Sequence, residues 1–269
     1  MGSLLSKPKQ ERKKERKHRK HHLLGRRKQK EEEHISEISG PQGCLQLVPE
    51  PSRDERGMPI RDKSYDLDRR NLNKALEYAA DFLHRKRQNL TIVAVGGAVN
   101  TILLKTREVT HDVDFFNGNL SYRVSQADLL RDAAAEAASR SSVPLGRNWL
   151  NNSTALYMPK ELQIEMTEAA MAQDKVIFQK PGLRVLAAPW DYAISTKLDR
   201  MGKAHRRDYD VNDAAIYLRQ YIRNHGNKPV PVDVIRGWAR HFKFGFSEQL
   251  AAELNEEYRR LYGEDGIIF

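Results

Sequence analysis

The chain has 269 residues, 30% of them charged and 39% hydrophobic, with a formal net charge of +10; that length allows a sizeable core in one large or two small domains. A single cysteine, Cys44, excludes an intrachain disulfide and predicts an intracellular setting, cytoplasm or nucleus. No apolar run approaches the roughly 18 residues of a membrane span, and no signal-peptide core follows Met1, so the expectation is a soluble or peripherally attached protein.

Charge is unevenly placed. Residues 1–30 hold 13 Lys or Arg against two Glu, and the remaining 33 basic and 34 acidic residues leave residues 31–269 at about −1. The basic character therefore belongs to the tail and supports no nucleic-acid reading of the body. The opening MGSLLS fits an N-myristoylation pattern at Gly2. An acyl chain beside a polybasic run can hold a protein on an anionic membrane surface. The stretches KKERKHRKHH and RRKQK suit the nuclear import machinery or nonspecific phosphate binding equally well. The plain alternative is a solvated, disordered charge run in which His18, His21 and His22 ligate nothing. Residues 31–62 carry no periodicity and read as a linker, so residues 1–62 are expected to be a disordered basic tail and linker.

From Tyr65 the pattern changes. Leu67, Leu72, Ala75, Leu76, Ala79, Ala80, Phe82 and Leu83 recur at helical spacing and predict an amphipathic helix to about residue 87. Leu90–Val95 is β-rich and apolar, a buried strand. A helix over 98–105 follows Gly96-Gly97, a second strand over 112–116, and an Ala-rich helix over 127–138. Strands are predicted at 154–158, 162–167, 175–178 and 183–187, the last pair turned by KPG. Helices then occupy 189–202, 208–224, 231–242 and 247–262, with Gly226 and Gly263 as stops. Trp149, Trp190 and Trp238 read as core. Mixed strands and helices followed by helices alone indicate an α+β or α/β core with a helical C-terminal part.

The chemistry concentrates in TIVAVGGAVNTILLKTREVTHDVDFF, residues 91–116. A glycine pair between strand and helix brings backbone N–H groups to an anionic ligand at a helix N-terminus. In a strand, Asp112 and Asp114 share one face while Val113 and Phe115 enter the core. Two carboxylates on one face repel unless a cation lies between them, and Mg²⁺ prefers carboxylate oxygens together with substrate phosphates. A third acid on a neighbouring strand would help hold a second metal or activate an attacking hydroxyl. Glu165 is the candidate, with Glu161 and Glu168 as rivals. Lys197, on a helix with an apolar face at Tyr192, Ala193 and Ile194, can extend toward a triphosphate. Arg206 and Arg207 are further phosphate contacts or surface charges, and Asp208 and Asp213 suit the first turn of the next helix.

These segments resemble the nucleotidyltransferase fold of the DNA polymerase beta superfamily, and within it the abortive-infection nucleotidyltransferase toxins of the AbiEii type. The resemblance rests on GGAVNTILLKTREVTHDVDFF and TKLDRMGKAHRRDYDVNDAAIYL and covers about residues 65–225. It implies an α+β fold: a nucleotidyltransferase-like mixed sheet with flanking helices over 63–188, and a helical part packed on it over 189–269. It implies Gly96 and Gly97 on nucleotide phosphates, and Asp112, Asp114 and Glu165 on Mg²⁺ as the catalytic acids. Lys197 would meet the triphosphate, with Arg107 and Thr110 supporting the site. The activity so implied is transfer of a nucleoside monophosphate from a nucleoside triphosphate to a hydroxyl on RNA, protein or a small molecule. The chain departs from the family in the fourteen residues between Gly97 and Asp112, toward or beyond the long end of the usual spacing. The alternative readings are a catalytically inactive module of the same fold, located by its tail, and an unrelated α/β protein whose aspartates merely end a strand.

Overall fold

Leu90–Val95 carries six residues with no alternation of polar and apolar character because it lies in the middle of a sheet covered on both faces. The computed structural model describes residues 47–49, 53–58, 60, 62–117, 124–204 and 206–269. Gly2, the three tail histidines and Cys44 lie outside them.

The chain order is β1 (Leu67–Asp68), α1 (Arg69–Arg85), β2 (Leu90–Val95), a π-helical turn (Val99–Leu104), β3 (Val109–Thr110), β4 (Val113–Phe116) and α2 (Val124–Arg140). It continues through β5 (Leu150–Asn151), a 3₁₀ turn (Ser153–Tyr157), α3 (Lys160–Gln173), β6 (Val176–Lys180), β7 (Leu183–Ala187) and α4 (Trp190–Met201). The last elements are α5 (Asp210–Asn224), β8 (Val230–Pro231), α6 (Val232–Phe242), α7 (Glu248–Tyr262) and β9 (Ile267–Ile268). Helix α1 starts where Asp68 accepts a hydrogen bond from the Asn71 N–H, 2.7 Å away, an N-cap that satisfies one of the free donors of the first turn. Helix α7 ends at Gly263 in the left-handed conformation, the role foreseen for that glycine.

Five strands form one mixed sheet in the order β5-β4-β2-β7-β6. Strand β2 runs antiparallel to β4 and parallel to β7, while β4 runs parallel to β5 and β6 antiparallel to β7. Ile92, Ala94, Val113, Phe115, Val185 and Ala187 face one core together with α1 and α2. Val93, Phe116 and Leu186 face another, with Met166 and Ala170 of α3, Tyr192 of α4 and Phe242 of α6. Asp114 alternates with Val113 and Phe115 and therefore shares its face with Phe116. The first core continues without a break into Ile194, Leu198, Tyr217, Leu218, Leu254 and Tyr258, so the C-terminal helices and the sheet share one interior. At the edge of the sheet, Val48 is buried, its N–H donates to Asn152 Oδ1, and its carbonyl accepts from the Asn152 N–H.

The mixed sheet with flanking helices agrees with the expected α+β class. Two predicted strands are corrected. Residues 162–167 belong to helix α3, whose buried residues Gln163, Met166, Thr167 and Ala170 follow helical spacing. The alternation Leu162, Ile164, Met166 imitated a strand; the burial of Gln163, whose amide donates to the Ala155 and Met158 carbonyls, set the helical face instead. Residues 153–157 form the 3₁₀ turn and leave Leu156 and Tyr157 exposed. The short pairs β1 with β3 and β8 with β9 had no sequence signal beyond two residues each.

Gly97 fixes how closely β3 approaches the glycine turn. A β-carbon at Gly97 would fall 2.1 Å from Thr110 Oγ1 and 2.9 Å from Thr110 Cβ, below any tolerated contact. Gly97→Ala is expected to lower the unfolding free energy by about 2 kcal/mol in urea titrations, and Thr110→Ala introduced with it should restore part of the loss.

Candidate active site

The carboxyl end of β2 and the start of β4 lie side by side because the strands are antiparallel, with Val95 opposite Asp114. The glycine turn that follows Val95 and the aspartates that open β4 therefore meet at one end of the sheet. They line a cleft of about 460 Å³ with Arg107, Glu108, Val109, Thr110, His111, Lys197, Arg200, Arg207 and Tyr209. Seven of the sequence-derived site residues, Gly96, Gly97, Arg107, Thr110, Asp112, Asp114 and Lys197, come together here.

Glu165 does not. It lies exposed on α3, where its carboxylate meets His241 Nε2 of α6 at 2.8 Å, and it does not line the cleft. Glu161 and Glu168 are exposed on the same helix. The position beside Asp114 on the neighbouring strand is held by Asn151, registered opposite it across the parallel β4–β5 pair. Asn151 is 4% exposed. Its Nδ2 donates to the Asn148 carbonyl at 3.2 Å and its Oδ1 accepts from the Ser153 N–H at 3.1 Å, while its amide favours the charged form of both Asp112 and Asp114.

Burial is the main reason that the two aspartates hold their protons more tightly than usual. It combines with the Asp114 charge to push Asp112 up to about 7, against opposition from Arg207 and Asn151. Asp114 is raised by burial as well, with Asn151, Arg207 and Arg200 opposing. The pair thus lacks sufficient positive charge of its own.

The opposite wall of the cleft is a buried ion cluster. Lys197 Nζ on α4 donates to Asp210 Oδ1 at 3.1 Å and to Asp213 Oδ2 at 2.6 Å, both on α5. Arg200, one turn after Lys197, binds both oxygens of Asp210. Arg107, from the loop before β3, binds both oxygens of Asp213. Burial lowers the Lys197 pKa, partly offset by Asp213. Burial would raise Asp210, yet its bonds to Arg200 and Lys197 outweigh that and hold it below the usual carboxylate range. Lys197 Nζ also lies over the Tyr209 ring, 5.5 Å from its centroid.

Of the residues that sequence reasoning missed, Arg200 was accessible in principle, since it follows Lys197 by three and so shares its helix face. Glu108 sits between the foreseen Arg107 and Thr110. Tyr209 and Asn151 gave no local signal. Arg207 lines the cleft, whereas Arg206 turns away to Glu253.

The fold and cleft define a mixed α/β protein with a carboxylate pair facing a cationic wall. Its family is the one described as Domain of unknown function (DUF7582), whose model matches residues 65–265; the chain belongs to that family. No curated protein and no solved structure matches it.

The pKa directions fix two outcomes. Asp112 is raised from 3.8 to about 7, so its contribution to stability is present below the ordinary value and lost as pH rises through about 7. In the metal-free protein, Asp112→Asn should be more stable than wild type at pH 8, by up to about 4 kcal/mol, and the difference should vanish near pH 4 in urea titrations. Asp210 is lowered, so its contribution persists at neutral pH and is lost only on acidification below its ordinary value. Asp210→Ala, which strands buried Lys197 and Arg200, should cost about 3–5 kcal/mol at pH 7 by the same measurement.

Proposed function

We propose that the cleft binds a nucleoside triphosphate with Mg²⁺ and transfers the nucleoside monophosphate to a hydroxyl acceptor, on a nucleotidyltransferase-like fold. The observation that carries this reading is the meeting of Asp112 and Asp114 with the Gly96-Gly97 turn, opposite Lys197, Arg200 and Arg207. The carboxylates suit Mg²⁺ on their own chemistry. They are two hard oxygen donors, desolvated, and short of a positive partner. Among the described residues no group of three or more His, Cys, Asp or Glu is arranged to hold a metal. A two-carboxylate site matches the preference of Mg²⁺ for few protein ligands completed by water and phosphate. Bound by Asp112 and Asp114, Mg²⁺ would neutralise charge on the phosphate oxygens.

The chain's own residues supply the rest. The glycine turn leaves room for phosphate to approach the backbone, and Arg200 and Arg207 offset charge on the departing pyrophosphate. In the transfer, the acceptor oxygen bonds to the α-phosphorus and the bond from that phosphorus to the bridging oxygen of the β-phosphate breaks. The hydroxyl proton leaves to a cleft carboxylate or to water. RNA, a protein side chain or a small molecule can supply such a hydroxyl. The basic segment 1–30 acts separately as an address, toward an anionic membrane surface or the nuclear import machinery; salt-sensitive attachment that disappears on deleting it would support this role.

A second reading, nucleotide binding without transfer, draws on Asn151. An amide occupies the strand position next to Asp114, where a third acid would assist deprotonation. The two readings separate in one assay. Purified protein with Mg²⁺ and labelled nucleoside triphosphates should mark an acceptor, and Asp112→Ala should lower labelling by about a hundredfold or more with its circular dichroism unchanged. Equal labelling by the variant overturns the transferase reading. Nucleotide binding with no labelling, followed by labelling in Asn151→Asp, selects the second.

A further inference from the structure

Tyr209 is a large aromatic residue that lines the cleft and remains 39% exposed. Apolar rings on a surface need no explanation when they are scattered; this one is held from several sides. The Arg107 guanidinium lies over the ring, 3.7 Å from its centroid, and is itself locked by its two-point bond to Asp213. The Tyr209 hydroxyl accepts from Arg207 at 2.8 Å. Its backbone is fixed as well. The Tyr209 carbonyl accepts from the Asp213 N–H at 2.9 Å, and Asp210, the next residue, sits in the ion cluster and accepts from the Arg207 N–H at 3.1 Å.

The Asp213 carboxylate, bonded at the edge of the guanidinium, orders Arg107, and Arg107 covers one face of the ring. Such order stabilises a ring before any ligand arrives and reduces what ordering costs on binding. The phosphate-binding elements, glycine turn and cations, line the same cleft. A flat π-surface beside a phosphate site suits a nucleobase, because stacking on an aromatic ring is available to every base.

We propose that Tyr209 is the stacking platform for the base of the bound nucleotide, so that the site selects nucleoside triphosphates over inorganic polyphosphate. The proposal rests on the reading of the cleft as a triphosphate site and adds the part that recognises the base. It also implies modest discrimination among bases, since stacking reads a π-face and not hydrogen-bonding edges.

The test compares the binding of ATP, CTP, GTP, UTP and tripolyphosphate, each with Mg²⁺, by titration calorimetry on the full chain. Wild type should bind the nucleotides at least about tenfold more tightly than tripolyphosphate. Tyr209→Leu should erase most of that advantage and leave tripolyphosphate affinity within about twofold, while Tyr209→Phe, which keeps the ring, should retain the advantage within about threefold. If Tyr209→Leu weakens nucleotides and tripolyphosphate alike, the ring only seals the ion cluster and the proposal fails. If tripolyphosphate binds and the nucleotide advantage persists in Tyr209→Leu, the proposal fails while the phosphate site stands. If neither nucleotides nor tripolyphosphate bind wild type, the reading of the cleft and the proposal fall together.

Discussion

The body depends on one buried ion cluster. Lys197 is 3% exposed and lies between Asp210 and Asp213, which are 0% and 1% exposed. Charges so placed carry a large desolvation cost, and a hydrophobic substitute of similar shape would often be at least as stable. Their value is positional. The cluster ties α4 to α5 through Lys197 and Arg200, and ties both helices to the loop before β3 through Arg107. That loop leads into Thr110 and the aspartates, so the cationic wall and the carboxylate wall of the cleft are set relative to each other by the same contacts.

The sheet supplies the opposing constraint. Both faces are covered, one by α1 and α2 and the other by α3 with parts of α4 and α6, so a polar residue is tolerated only at the strand ends. Asp112 and Asp114 occupy such an end, and Asn151 meets them there from the adjacent strand. Burial that is favourable for Val113 and Phe115 is unfavourable for the aspartates between and before them. Strain of this electrostatic kind at one point of an otherwise apolar sheet is the pattern expected where function overrides stability.

Much of this was legible locally. The Asp112, Val113, Asp114, Phe115 alternation is a two-residue property of a strand, and Gly96-Gly97 ends an apolar run, so fold and sequence agree there residue by residue. The stripe of α1 and the stop at Gly263 were readable for the same reason. Glu165 was misplaced because Leu162, Ile164 and Met166 satisfy a strand period as well as part of a helical one, and the choice fell to the distant carbonyls that hold Gln163. Asn151 was invisible because its importance comes from register across β4 and β5, which no single segment encodes. Tyr209 was invisible because its partner Arg107 lies about a hundred residues earlier in the chain.

The clasp between Val48 and Asn152 places a segment from early in the chain beside the edge of the sheet. Strand β5 is an edge, and an edge strand offers its backbone groups to any passing chain. Val48, buried and bonded to Asn152, occupies part of that edge with a segment lying ahead of the family-matched region, residues 65–265. A fragment trimmed to that region would lose Val48 and its two bonds to Asn152 from this end of the sheet.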